Sequence, residues 1–277
     1  MTDGPPRIFD PHAIALHKAR AARLRVDRFL VSEALEGVKD LLAPVNRSFA
    51  TALALDEDAV ATLQGAAGAW QLQTFDSNEQ LTANAANGGY DLAVSVLGLH
   101  TLNDLPGALV QIRRALKPDG LFLAAMFGGA TLTELRDSFA AGEAATLGGV
   151  SPRVAPMGDV RDLGGLLQRA GFAMPVADVE RTTVRYRDFL TLVRDLRAMG
   201  ETNALTGRLG RLRRETLAAA LAHYQSHHAE PDGRLRATFD IIYLTGWAPD
   251  PSQPKPLRPG SAKMRLADAL GVKEEKL

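Results

Sequence analysis

The sequence predicts an α/β fold, in which a sheet is flanked by helices. Short apolar runs bounded by turns alternate with segments of helical periodicity, and this alternation is typical of a parallel sheet with crossover helices. The clearest run is the buried strand 90–97, which is followed by a helix over 105–116, a Lys-Pro-Asp-Gly turn at 117–120 and a strand over 121–127. A strand, helix, strand succession of this kind forms a right-handed parallel crossover.

The composition is typical of a globule with a sizeable core. The chain has 277 residues, of which 46% are hydrophobic, and 32 basic residues balance 32 acidic ones. A formal charge of zero argues against a dedicated nucleic-acid surface. Because cysteine is absent, disulfides and cysteine-ligated metals are excluded. No run reaches the length of a membrane span and residues 1–6 do not read as a targeting signal, so we expect a cytoplasmic protein.

Three regions are predicted along the chain. They are a helical N-terminal arm (1–47) with helices over 11–25 and 27–43, an α/β domain (48–248), and a tail (249–277) with a short helix over 262–270. The arm is rich in arginine, alanine and leucine, and it is either a solvated helical face or a lid or partner-binding arm. The tail is predicted to be extended because 249–259 holds five prolines.

The remaining elements of the domain follow from the same patterns. Strands are predicted over 49–56, 70–75, 176–186 and 239–247, and helices over 59–64, 131–145, 159–170, 188–198 and 208–228. The last two helices form an insertion over about 188–230, before the final strand. An insertion of this kind often carries specificity.

The turn after the first predicted strand lacks glycine. In a nucleotide-binding βαβ unit, glycines at this turn let the backbone approach the cofactor and let the helix N-terminus face it. Here Asp56 ends the strand, and the acidic residues Glu57 and Asp58 follow it. Asp56 also suits the N-cap of the next helix, because a carboxylate there satisfies free N–H groups.

An ordered set of motifs covers residues 90–136. Tyr90-Asp91-Leu92-Ala93-Val94-Ser95, Leu99-His100, Asn103-Asp104-Leu105-Pro106 and Leu116-Lys117-Pro118-Asp119-Gly120 resemble the strand, helix and next strand of class I S-adenosylmethionine-dependent methyltransferases. The segments Ala125 to Gly129, Glu134 to Arg136, Met199 to Asn203 and Tyr243 to Trp247 resemble one branch of that superfamily. That branch is the respiratory complex I assembly-factor family, whose mitochondrial member is described as an arginine hydroxylase. The resemblance covers nearly the whole chain except residues 57 to about 75.

The resemblance implies a class I methyltransferase-like, Rossmann-like sheet flanked by helices, truncated in its N-terminal half. It implies S-adenosylmethionine as the cofactor and a protein partner, namely a respiratory complex I subunit. The positions that match the family's cofactor site are Asp56, Asp76, Ser95, Val96 and Leu97.

The chain departs from the family between its first strand and residue 90. Asp91 follows Asp56 by only 35 positions, whereas one βαβ crossover needs about 30 residues or more. One alignment sets 70–76 against the family's third strand and deletes the second. The other makes 70–76 the second strand, with Asp76 as the ribose ligand, and removes the third. Either alignment removes part of the adenosine pocket.

Three residues are candidates for catalysis. His100 follows the strand over 90–97, at the sheet edge where open α/β sheets bind ligands, and it is either a general base or a structural histidine. Glu134 and Arg136 lie on the helix after Gly128-Gly129, where a charge pair is suited either to a substrate arginine or to a surface cap. Glu201 has the same two interpretations, because a carboxylate pairs well with a guanidinium.

The histidines of the insertion do not predict a metal site. His223 and His227 share a helix face at i, i+4 spacing, but no glutamate follows His223. The residues between them supply no carboxylate, so we expect a solvated helix end at His228 and no metal.

Three functions remain open from the sequence. The first is a methyltransferase relative that modifies or helps to assemble respiratory complex I. The second is a scaffold that keeps the fold without the cofactor, and the third is a small-molecule methyltransferase. The first requires a cavity at the strand ends around Asp56, Asp76 and Ser95, whereas side chains would fill that space in the scaffold.

Overall fold

The fold is a six-stranded mixed sheet with helices on both faces. The computed structural model describes residues 7–24, 26–64, 67–75, 80–81, 89–207, 210 and 212–254. The strands are β1 (Phe49–Ala54), β2 (Ala67–Leu72), β3 (Tyr90–Val96), β4 (Leu116–Phe127), β5 (Ala173–Tyr186) and β6 (Leu235–Trp247). The α-helices are α1 (Pro11–Arg23), α2 (Phe29–Leu42), α3 (Ala59–Leu63), α4 (Leu105–Ala115), α5 (Thr133–Leu147), α6 (Val160–Ala170), α7 (Phe189–Met199) and α8 (Arg214–His228).

The strand order is β2-β1-β3-β4-β6-β5. Strands β2, β1, β3 and β4 are parallel, and β6 pairs antiparallel with both β4 and β5. The helical insertion α7–α8 lies between β5 and β6 in the chain, as predicted. The predicted α/β class is therefore confirmed.

Several predicted boundaries are wrong by a few residues. Strand β2 begins and ends earlier than the predicted 70–75, and α8 begins at Arg214 instead of 208. Strands β5 and β6 begin before 176 and 239, because they pair along their full length from Ala173 to Tyr186. Apolar periodicity does not reveal where β5 begins, because most of its residues are exposed or only partly buried. The tail beyond 254, with its predicted helix over 262–270, lies outside the described residues.

The Lys-Pro-Asp-Gly segment at 117–120 lies inside β4 and does not form a turn that precedes the strand. The register between β3 and β4 shifts here, because Tyr90 pairs with Leu116 and Leu92 with Leu121. Asp119 adopts a left-handed φ of 63°. The segment is therefore an irregularity within the strand, which the turn-forming residue types could not distinguish from a loop.

Two hydrophobic layers enclose the sheet. On one face, Leu30, Val31, Ala34 and Val38 of α2 pack with the sheet and with side chains of α7 and α8. On the other face, residues of α4 and α6 pack against the sheet. Helix α2 thus belongs to the packed sheet layer, while α1 lies against α7. Among the helices of the described residues, none combines the length and apolar character that crossing a bilayer requires.

Candidate functional site

A cavity of about 480 Å³ lies at the carboxyl ends of β1 and β3. In open α/β sheets, ligands bind outside this edge of the sheet. Residues of helix α1, of the turn after β1 and of the loop at Gly98 line the cavity. Met199 at the end of α7 and Glu201 just after it also line the cavity. The volume lies within the range of small-molecule sites, which is about 300 to 1,000 Å³.

Asp56 lies in the wall of this cavity and is almost fully buried. One carboxylate oxygen, Oδ1, accepts a hydrogen bond of 2.8 Å from the amide of Ala59 at the start of α3. The other, Oδ2, accepts bonds from Ser95 Oγ at 2.6 Å and from the amide of Val96 at 2.9 Å. Burial raises the pKa of Asp56 to about 6, although these hydrogen bonds act in the opposite direction.

Gly98 allows the loop after β3 to approach Asp56. A Cβ atom at this position would lie 2.5 Å from Asp56 Oδ2, closer than van der Waals contact permits. Since three hydrogen bonds hold the carboxylate, it has little freedom to move away. This requirement could not be predicted from the sequence, because Gly98 is not part of a glycine-rich motif.

Among the buried acidic residues that the structure describes, Asp56 differs from the others because it forms no ion pair with a cationic side chain. Four acidic side chains are buried among the described residues: Asp56, Glu134, Glu143 and Asp240. Three of them pair with arginine: Glu134 with Arg236 at 3.4 Å, Glu143 with Arg153 at 2.6 Å, and Asp240 with Arg181 at 2.7 Å. Within the part of the chain that the structure describes, Asp56 forms no ion pair; Lys18 of α1 lowers its pKa only from a distance.

The charged lining of the cavity is predominantly acidic. It contains four carboxylates (Asp56, Glu57, Asp58 and Glu201) and two cations (Lys18 and Arg28). Arg28 already forms an ion pair with Asp58, to which it donates hydrogen bonds of 2.9 and 2.6 Å. Lys18 forms no ion pair within the described residues. The uncompensated charge favours a cationic ligand.

His100 lies behind the cavity wall, where it contacts Glu201. Its Nε2 is 2.9 Å from Glu201 Oε2, and its ring packs edge-on against Phe127. The other ring nitrogen, Nδ1, is buried and has no hydrogen-bond partner in the described residues. Burial raises the pKa of Glu201, but His100, Lys18 and Arg28 together hold it below its usual value. His100 therefore orients an ionised carboxylate that itself faces the cavity.

Glu134 and Arg136 lie away from the cavity. Glu134 accepts hydrogen bonds from Thr238 Oγ1 at 2.6 Å and from the Thr238 amide at 3.0 Å, so it fixes α5 to β6. Arg136 donates to the carbonyl oxygens of Thr131 and Ala155. Burial lowers the pKa of Arg136. The two residues do not pair with each other, and their contacts are those of structural groups.

The predicted cofactor-binding residues have different positions. Leu97 lines the cavity with a left-handed φ of 53°. Ser95 and Val96 do not reach it, and they act on it only through their hydrogen bonds to Asp56. Asp76 lies outside the described residues. Because β2 (Ala67–Leu72) is the next strand after β1 and pairs with it in parallel, the structure favours the alignment in which this segment is the second strand.

The fold and its strand-end cavity define an α/β protein of the cofactor-binding class. The family model for the methyltransferase domain matches residues 12–175. The chain belongs to this family, which confirms the resemblance found in the sequence. The fold is accordingly a class I methyltransferase-like fold.

Curated relatives cover about two thirds of the chain. The arginine-hydroxylase NDUFAF5, mitochondrial, of Danio rerio is 46% identical over 179 residues, which are 65% of this chain and 56% of that protein. The protein of the same name in Homo sapiens is 45% identical over 179 residues, 65% of this chain and 52% of its own length. A malonyl-[acyl-carrier protein] O-methyltransferase of Laribacter hongkongensis is 38% identical over 168 residues, 59% of this chain and 53% of that protein. The chain thus spans about half the length of the curated relatives it matches.

Proposed function

We propose that this protein binds S-adenosylmethionine in the cavity at the ends of β1 and β3 and acts in the modification or assembly of respiratory complex I. One observation carries the cofactor part of this proposal. Asp56 is a buried carboxylate without a cationic partner among the described residues, and it faces a cavity of suitable size. A sulfonium or ammonium group would supply the missing positive charge.

The residues of the cavity fit the parts of this cofactor. The acidic wall formed by Asp56 and Glu57 suits the sulfonium and the α-ammonium, while Lys18 suits the α-carboxylate. Apolar side chains suit the adenine; these are Ile14, Phe75, Leu97 and Leu102. When bound, the cofactor supplies a methyl group on a positively charged sulfur. The chain's own contribution is to bind and orient the ligand and, through α1, to exclude water from it.

The proposed substrate is an arginine side chain of a complex I subunit. Two observations support it: relatives at 45–46% identity are named arginine-hydroxylases, and Glu201 places an ionised carboxylate in the cavity wall. A carboxylate and a guanidinium form paired, charge-assisted hydrogen bonds. His100 acts as a positioning residue, because it holds Glu201 from behind.

A scaffold without cofactor is the second candidate. It is favoured by the turn after β1, where Asp58 is fixed by Arg28 and no glycine is present. The amides of Ala59 and Val96 at this edge already bond to Asp56, so they are not free to bind a ligand. In this case, the surface around α1 would bind a protein partner.

Calorimetric titration with S-adenosylmethionine distinguishes the two candidates. We expect micromolar binding to the wild type, and a loss of affinity on the order of tenfold in Asp56→Asn, which removes the charge but keeps the shape. The matched control is Asp91→Asn. Asp91 bridges β1 and β3 at their other end, where it accepts bonds from Thr51 and Lys117 outside the cavity. Absence of binding to the folded wild type at millimolar ligand would overturn the cofactor proposal and favour the scaffold.

A further inference from the structure

A second polar cluster joins α5 to α8, and none of its residues lines the strand-end cavity. It consists of Asp137 on α5 and the histidines His223 and His228 on α8. His228 Nε2 lies 2.8 Å from Asp137 Oδ2, and His223 Nδ1 lies 3.9 Å from the same oxygen. One ligand atom from each residue lies within 4.8 Å of the other two.

The two helices hold this cluster in a fixed arrangement. Gly142 lets α5 approach α8 so closely that a Cβ atom there would lie 2.7 Å from the backbone nitrogen of Ala220. Further along, the hydroxyl groups of Thr146 and Thr216 are 2.8 Å apart and hydrogen-bonded. Because these contacts fix the register of the helices, Asp137 faces the last turn of α8.

The imidazole rings are also ordered. The ring of His223 stacks on that of His227, with centroids 4.0 Å apart and planes inclined by 13°. His223 Nδ1 lies 3.5 Å from Ser138 Oγ and 3.9 Å from Asp137 Oδ2. His227 Nδ1 instead contacts Ser226 and the carbonyl oxygen of His223. His227 therefore lies next to the cluster without being part of it.

We propose that Asp137, His223 and His228 form a zinc site that crosslinks α5 and α8. Two imidazole nitrogens and one carboxylate oxygen are a ligand set that Zn²⁺ accepts, with a water molecule as the fourth ligand. The observed separations require only small side-chain movements to reach ligand distances of about 2.0 to 2.2 Å. Inspection of α8 alone predicted no metal, because the carboxylate comes from α5.

The competing explanation is a pair of solvated ion pairs at a helix end. Asp137 is 57% exposed, and exposed ion pairs of this kind are common. The two explanations differ in one respect. Ion pairs need no metal, whereas a zinc site binds one equivalent of metal and depends on three specific residues but not on His227.

Titration of the full chain with Zn²⁺, and with Co²⁺ as a spectroscopic probe, tests the proposal. We expect one equivalent to bind, a melting temperature that rises by about 5 °C at a hundredfold excess over Kd, and Co²⁺ absorption bands typical of four-coordinate metal. His228→Ala and Asp137→Asn should each weaken binding at least tenfold. His227→Ala is the matched control and should change Kd by less than twofold.

Two outcomes would overturn the zinc site. One is the absence of binding to the folded wild type at submillimolar metal. The other is an equal loss of affinity in His227→Ala and His228→Ala, which would indicate nonspecific binding to a histidine-rich surface. Circular dichroism of each variant shows whether it is folded. None of these measurements involves S-adenosylmethionine, so the result is independent of the proposed function.

Discussion

The two halves of the sheet hold a buried carboxylate in similar ways but compensate its charge differently. Asp56, in the half formed by β1 and β3, accepts a hydroxyl bond of 2.6 Å from Ser95 and an amide bond from β3. Glu134, beside β6, accepts a hydroxyl bond of 2.6 Å and an amide bond from Thr238. Arg236 lies 3.4 Å from Glu134, whereas a cavity lies beside Asp56.

This difference separates a structural acidic residue from one available to a ligand. A buried charge with its own arginine is compensated by the chain itself. At Asp56, burial raises the pKa to about 6, which shows that the surroundings do not compensate the ionised form. We call the half around β4, β5 and β6 the closed half, because arginine side chains of the protein compensate its buried carboxylates. In the half around β1 and β3, a cationic group of a ligand would stabilise the ionised form of Asp56.

Arg153→Met tests the closed half and has the largest expected effect. The Glu143 carboxylate is fully buried, and it accepts bonds from Arg153 Nε at 2.6 Å and from Ser151. Without the arginine its charge is unpaired, so the free energy of unfolding should fall by about 3 to 5 kcal/mol. Urea denaturation at pH 7 measures this. Arg187→Met, at an exposed surface pair, should leave the midpoint unchanged; a similar loss there would refute the distinction.

Asp56→Asn sharpens the comparison through the pH dependence of stability. Burial raises the pKa of Asp56 from its ordinary value of 3.8 to about 6 in the folded protein, so folding favours the protonated form. Its contribution to stability is present below pH 4 and is lost as the pH rises through 6. The wild type should therefore lose about 2 kcal/mol relative to Asp56→Asn between pH 4 and pH 7.

Asp91→Asn should show the opposite slope and is the control for that experiment. Burial at Asp91 is outweighed by hydrogen bonds from Lys117 and Thr51, which lower its pKa. The stabilisation that Asp91 contributes is therefore fully present above its pKa in the unfolded chain. It is lost as the pH falls through the lower pKa of the folded protein. Denaturation curves at several pH values give both slopes, and slopes of the same sign would contradict the assignment.

Gly142→Ala tests how tightly the closed half is packed. An added Cβ atom would lie 2.7 Å from the backbone nitrogen of Ala220 and 2.9 Å from the carbonyl oxygen of Thr216. Because both contacts are backbone atoms, the helices must separate, and we expect a loss of about 1 to 3 kcal/mol in the free energy of unfolding. Gly149→Ala meets nothing within 4 Å. An equal thermal shift in both variants would show that the contact is not tight.

Asp10→Ala has the smallest expected effect and concerns helix α1, which lines the cavity. The Asp10 side chain accepts bonds from the amides of His12 and Ala13 and so caps α1. Its loss should lower stability by about 1 kcal/mol. Limited proteolysis within α1 should become faster than in the wild type. An unchanged cleavage rate would mean that α1 is held by its contacts with α7 and not by its cap.

The sequence predicted the framework better than the site. Turn-bounded apolar runs such as 90–97 identify buried strands directly, and the position of Asp56 at a strand end followed from the run before it. The sequence did not predict that Lys18 lies in the cavity, because it comes from α1, which is distant along the chain. It also did not predict the carboxylate that Asp137 brings from α5 to His228, since local spacing carries no information about helix pairing.

The most direct test of the central claim is the number of protons released when S-adenosylmethionine binds at pH 6, obtained by calorimetry in buffers of different ionisation enthalpy. If the ligand supplies the missing cation to Asp56, binding should release on the order of half a proton in the wild type. In Asp56→Asn, it should release none. Binding without proton release, or equal release in both proteins, would contradict the account, because the positive charge would then lie away from Asp56.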